Sequence, residues 1–198
     1  MKIVLINNKL RTLAATTLLV LLSSCANKTT HVVIAPDLSI INSTSTLTEY
    51  QNKEASITVT DIRRAQHVVQ ILRKDEAAEI YSSQQPLSNI IKQTLISEFK
   101  KQGLAINTQA NNAIEVIIEN SLISVQQEMM KYQVNNELMI HVKVNNGEQT
   151  LSNTFKVRGT SEGPLSADIA VLERDFNQQL TKLLTQIINN VEIRNFIK

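Results

Sequence analysis

The sequence predicts an α+β fold, a twisted antiparallel sheet with two main amphipathic helices packed on one face. Three observations predict it. Two stretches repeat apolar residues every three or four positions: Leu87, Ile90, Ile91, Leu95 and Phe99, then Ile169, Leu172, Phe176, Leu180, Leu183, Leu184, Ile187 and Ile188. Between them lie β-branched runs, among them IEVIIENSLISV at residues 114–125. Finally, Asn146-Gly147 separates two alternating runs in the way a tight hairpin turn does.

Taken in order, residues 31–34 (HVVI) form a short β-rich run that Pro36 stops, and residues 42–54 are polar, without period, and read as loop. Residues 56–60 alternate as a half-buried strand, with Ile57 and Val59 on one face, and residues 68–72 are β-rich enough to pair with it. A helix is expected over residues 86–103, because Lys100 and Lys101 suit its last turn and Gly103 a left-handed cap. Strands resume at 104–107 and 114–125. Leu138, Ile140, Val142 and Val144 alternate with polar positions, and Leu151, Phe155 and Val157 return beyond the turn. Gly159, Gly163 and Pro164 are expected to close this meander. The second helix follows and ends near Asn189 and Asn190, leaving residues 191–197 for a final turn.

The start of the chain has a different character. Lys2, Lys9 and Arg11 precede an uncharged run from Thr12 to Leu22, and Ser23 and Ser24 follow. This is the order of a secretory signal peptide, with an apolar run about half the 20 residues a spanning helix needs. Residues 1–24 are therefore expected to be an export leader. Leu22-Ser23-Ser24-Cys25 looks like a bacterial lipobox, with cleavage between Ser24 and Cys25 and lipidation of the Cys25 sulfur. Cys25 is the chain's single cysteine, which excludes an intrachain disulfide. A diacylglyceryl group plus an N-acyl chain such as palmitate gives lasting membrane attachment, at about 0.8 kcal/mol per buried methylene. Residues 25–30 then form the lipidated cysteine and a short polar tether, and 31–198 a single periplasmic domain. Ala26 stands where an aspartate signals inner-membrane retention, so the expected location is the outer membrane, facing the periplasm.

Of 20 Lys and Arg residues three lie in the leader, leaving 17 against 18 Asp and Glu in the remainder. A nearly neutral domain lacks the electrostatic footprint of a nucleic-acid binder. Hydrophobic residues at 42% with 19% charged argue for a packed core.

Several stretches together resemble the YajG family of bacterial outer-membrane lipoproteins: LLSSCA, HVVIAPDLSI, VTDIRRAQHVV, LISEFKKQGL, YQVNNELMIHVKVNNG and the C-terminal GPLSADIAVLERDFNQQLTKLLTQIINNVEIRNFIK. The likeness covers nearly the whole chain after the leader. It implies a lipid-anchored α+β domain and carries over no site residue besides Cys25. This chain departs from the family pattern in having few glycines and a surface richer in Asn and Gln.

The search for chemistry gives little. His31, His67 and His141 lie far apart with no ligand-spaced carboxylate or cysteine, so no metal and no cofactor is expected. Four glycines form no phosphate-cradling cluster. Asp61 and Arg63, two apart on a strand, share the face of Ile57 and Val59. They read first as a structural ion pair and second as a recognition point for a partner. Met129-Met130-Lys131-Tyr132 reads as an ordinarily packed strand, with an adaptable contact surface as the alternative. The expected function is a non-catalytic binding or accessory module that meets an envelope protein or cell-wall component through a sheet edge or helix groove, and the membrane through Cys25. An enzyme acting on peptidoglycan or lipid, or a carrier of an apolar ligand, are the competing classes.

Overall fold

The structure, a computed structural model, describes residues 30–39 and 49–197. The leader, the lipobox and tether before Thr30, and most of the expected 42–54 loop lie outside the described residues. Strands β1 (His31–Val32), β2 (Glu54–Asp61), β3 (His67–Arg73) and β4 (Glu79–Ser83) precede helix α1 (Leu87–Lys101). Then come β5 (Ala105–Ile106), β6 (Ala113–Gln127), β7 (Lys131–Asn145) and β8 (Thr150–Pro164), followed by α2 (Ile169–Ile188) and α3 (Val191–Phe196).

The α+β architecture matches the expectation, with α1 packed on β2 and α2 on β7, β8 and α1. Pairing in the eight-stranded sheet is mixed rather than wholly antiparallel. The meander β6-β7-β8 is antiparallel, whereas β1 runs parallel to β4, and β2 parallel to both β5 and β6. Nor do β2 and β3 pair with each other. Both lie along one edge of β6, β2 beside residues 113–118 and β3 beside residues 123–127. The chain leaves that edge after Asp61 and rejoins it at the level of Ile123.

That switch coincides with a bulge in β6. Ile114, Val116 and Ile118 point into the core, the register with β7 slips between Ile118 and Asn120, and Ser121, Ile123 and Val125 resume on the buried side. One extra residue keeps both halves of the strand facing the core and bends it where its neighbour changes. Against this face α2 buries Leu172, Phe176, Leu180, Leu183, Leu184, Ile187 and Ile188. Each such side chain contributes about 1.5–3 kcal/mol of transfer free energy. Asp168 caps α2, its Oδ1 accepting from the Ala170 N–H at 2.8 Å, and Asn190 caps α3 through the Ile193 N–H at 2.9 Å. Gly103 has the left-handed φ of 91° expected beyond α1.

Two expectations fail for local reasons. Gly159 and Gly163 do not close the meander, because β8 continues through both to Pro164. They face Asn136 and Tyr132 across the ladder, and a Cβ at Gly159 or Gly163 would lie 2.8 Å from Asn136 Oδ1 or 2.5 Å from the Tyr132 hydroxyl. Missing side chains, rather than turn geometry, explain these glycines. Met129 and Met130 are not strand residues. Glu128 N–H donates to Lys131 O at 2.9 Å, which leaves the two methionines as the turn between β6 and β7.

Residues 33–38 also differ from a strand stopped by Pro36. After β1 the chain lies along α2, held by side chains one helical turn apart. Val33 N–H donates to Glu173 Oε2 at 2.8 Å, Ala35 N–H to Asn177 Oδ1 at 2.7 Å and Asp37 N–H to Thr181 Oγ1 at 3.1 Å. Asn177 Nδ2 returns a bond to Val33 O at 3.0 Å. Two extended residues advance about 6.6 Å and four helical residues about 6 Å, so the two periods stay in step over this strap. Ile34 and Leu38 are buried beneath it.

Candidate functional site

The predicted pair of Asp61 and Arg63 forms at the strand switch. Arg63 Nη2 lies 2.8 Å from Asp61 Oδ2 and Nε 2.9 Å from Oδ1, with 5% and 10% of the two side chains exposed. The remaining guanidinium hydrogens go to the chain itself: Nη1 donates to His67 O at 3.2 Å and Ser121 O at 3.1 Å, and Nη2 to Gln66 O at 3.5 Å. All five donors of the planar fork have acceptors. The arginine thus ties the end of β2, the start of β3 and the bulge of β6 into one knot. A cleft of about 390 Å³ opens beside it, lined by Ile62, Arg64, His67, Glu119 and Leu122 among others. The two-residue spacing made the pair legible, but the Ser121 carbonyl, 58 residues away, has no sequence signal.

A second charged cluster, missed by sequence reasoning, crosses the meander. Glu137 Oε1 lies 2.6 Å from Lys156 Nζ and 2.7 Å from Arg158 Nε, and Asn120 Nδ2 donates to Oε2 at 2.9 Å. Lys156, and then Arg158, hold the Glu137 carboxyl down to a pKa of about 2. Glu137 and Arg158 sit directly opposite in the ladder, a relation that depends on register and so is hidden from local patterns.

Buried groups near the other end of the sheet fasten the C-terminus. Tyr50 packs edge-on against Phe99 at 5.7 Å, and burial pushes its hydroxyl up to about 12 despite the nearby Arg194. Lys53 Nζ donates to Ile197 O at 2.7 Å and Arg194 O at 3.3 Å. Among the histidines, His67 Nε2 meets Gln70 Oε1 at 3.2 Å, and His141 lies between Thr154 and Ser152, each 2.9 Å away. Among the described residues no three His, Cys, Asp or Glu side chains gather as metal ligands. Ser24 and Cys25 lie outside the described residues.

Among the described residues, two open surfaces stand out. The outer edge of β8, 15 residues long, has no strand against it among the described residues. At the end of the sheet where β6 meets β7, Met129 is 95% exposed, Met130 69% and Leu165 63%. Leu165 N–H donates to Met130 O at 2.9 Å, so the three apolar side chains project from adjoining backbone. Gln127 holds the junction, its Nε2 donating to Leu165 O at 2.6 Å and its Oε1 accepting from Ala167 N–H at 3.1 Å.

The α+β domain is that of a lipoprotein. A family model described as "Uncharacterized lipoprotein" matches residues 40–198, and the chain belongs to that family, which is the YajG family. The crystal structure of protein XCC0632 from Xanthomonas campestris is similar in fold, with TM-score 0.54 and 14% identity over 84% of this chain and 96% of that one. Rare lipoprotein B from Shewanella oneidensis matches with TM-score 0.36 and 12% identity, over 64% of this chain and 97% of that chain. No curated protein matches the chain. Among the described residues no helix is long and apolar enough to cross a membrane.

Proposed function

We propose that this lipoprotein is held at the periplasmic face of the outer membrane by lipid on Cys25 and acts there as a non-catalytic binding module for another envelope component. The observation that carries the reading is the open edge of β8. β8 is fifteen residues long, and alternate residues along it aim unpaired backbone N–H and C=O groups at the open side, a template to which an extended segment can add as a further strand. Lys156, Arg158 and Glu162 along it discourage indiscriminate pairing and favour a segment with matching charges. Confinement by a lipid anchor raises the effective concentration of such a domain for membrane-bound partners.

The test has two arms. Replacement Cys25→Ser is expected to abolish acyl labelling and move the protein out of the outer-membrane fraction. Photo-crosslinkers placed in cells at Thr154, Arg158 and Thr160 on β8 are expected to capture one reproducible envelope component, and those on the outward face of α2 at Lys182 are not. Capture from α2 alone, or turnover of a cell-wall fragment by the purified protein, overturns the β8 reading.

A further inference from the structure

We infer that the exposed Met129, Met130 and Leu165 tip dips into the headgroup region of the phospholipid bilayer that holds the anchor. The inference rests on the lipid-anchor reading and adds an orientation to it. Three observations converge.

Composition is the first. The two central positions of a hairpin turn usually carry Gly, Asn or Asp, and here both are methionine at 95% and 69% exposure. Leu165 is the second. Its φ is 63°, the left-handed region that a branched, bulky side chain rarely adopts, and it is 63% exposed. A glycine would occupy this position without strain. An apolar residue that gains nothing from local conformation or from the core has its use outside the domain.

Direction and length of chain supply the third. The strand β4 starts near the tip, since Glu79 lies opposite Ile71 while Arg73 and Gln127 end β3 and β6. Because β1 runs parallel to β4, with His31 beside Ser82, the N-terminal end of β1 is the end nearer the tip. From the level of Ser82 the tip is seven strand residues away, about 23 Å. Six residue steps join Cys25 to His31, at most about 20–22 Å. Cys25 therefore stops just short of the plane of the tip even when the tether is fully extended, so a bilayer that takes up its lipid lies level with the tip, whereas the Asn146-Gly147 hairpin lies at the opposite end of β7. Apolar side chains at the near end match the interfacial region of a bilayer, in which methionine and leucine side chains bury while the backbone stays wet.

Acylation of Cys25 leaves an introduced cysteine as the sole free thiol, which makes the test direct. The lipidated full chain with Met129→Cys, Leu165→Cys or, at the far hairpin, Gln149→Cys is labelled with an environment-sensitive fluorophore. It is then reconstituted into phosphatidylethanolamine and phosphatidylglycerol vesicles containing spin-labelled lipid. Quenching at positions 129 and 165 is expected to exceed that at 149 by at least about twofold, with a blue-shifted emission. Equal, weak quenching in protein that floats with the vesicles overturns the inference while leaving the anchor intact, whether the tip then faces water or a protein. Protein that fails to float has no anchor, and both readings fall.

Discussion

Replacing Arg63 with methionine removes the knot at the strand switch while preserving a long side chain. The Asp61 carboxylate, with its side chain 10% exposed, loses its bidentate partner, and the carbonyls of His67 and Ser121 lose theirs. Breaking a buried pair by deleting one member costs about 3–5 kcal/mol, against a total stability of about 5–15 kcal/mol for a domain. Arg63→Lys restores a charge and three donors but not the planar fork, so about 1–2 kcal/mol should remain lost. Adding Asp61→Asn to Arg63→Met should cost far less than it does alone, giving a coupling energy of about 1–3 kcal/mol. The chain has no tryptophan, so urea unfolding is best followed by far-UV circular dichroism in a Cys25→Ser background, with an unchanged slope as the sign that only stability has moved. A loss under about 1 kcal/mol for Arg63→Met would refute the structural role. If β8 crosslinking vanished in that same variant, the pair would have to be read as a recognition point.

Acid should weaken the meander through Glu137. Its folded pKa, about 2, lies below the ordinary 4.5, so its stabilisation is present above about 4.5 and is lost as pH falls toward 2. Full conversion of that shift is about 3 kcal/mol; with Arg158 68% exposed, screening reduces the expected loss to about 1 kcal/mol. Glu137→Gln should flatten the stability profile across that window, and an unaltered slope would assign the acid sensitivity elsewhere. Asn177→Ala removes both bonds to the strap at a cost of about 1–2 kcal/mol, and hydrogen exchange should quicken at the Ala35 amide while α2 stays protected. Leu165→Gly relieves the left-handed backbone and should raise stability by up to about 1 kcal/mol in a thermal melt, while reducing contact with vesicles.

What the sequence made legible was whatever repeats within a few residues. The apolar periods of α1 and α2, the alternation of Leu138 to Val144 and the Asn146-Gly147 turn each state their structure locally. The choice of neighbour is not local. Residues 56–60 and 68–72 look like a hairpin pair, yet each gains more by lying beside the apolar β6, and only the bulge after Ile118 lets one strand serve both. The strap has no local sequence signal, because its acceptors, Glu173, Asn177 and Thr181, lie about 140 positions downstream and read merely as the polar face of a helix. A glycine that leaves room for a facing side chain, as Gly159 and Gly163 do, looks in sequence like one that turns the chain. At the candidate site, spacing pointed to the pair of Asp61 and Arg63, yet β2 ends at Asp61, so Arg63 turns back to it from beyond the strand, and the saturation of the guanidinium depends on carbonyls that only the folded sheet brings near.

The strap along α2 has a mechanical consequence. A pull on the chain from its N-terminal side would be applied at His31, the first residue of β1. Three side-chain rungs and the short pairing of β1 with β4 lie in that line, so they would be sheared together instead of being peeled apart singly. A domain strapped in this way resists a pull on its N-terminal side, because the first thing asked to yield is a set of bonds that must all give way at once.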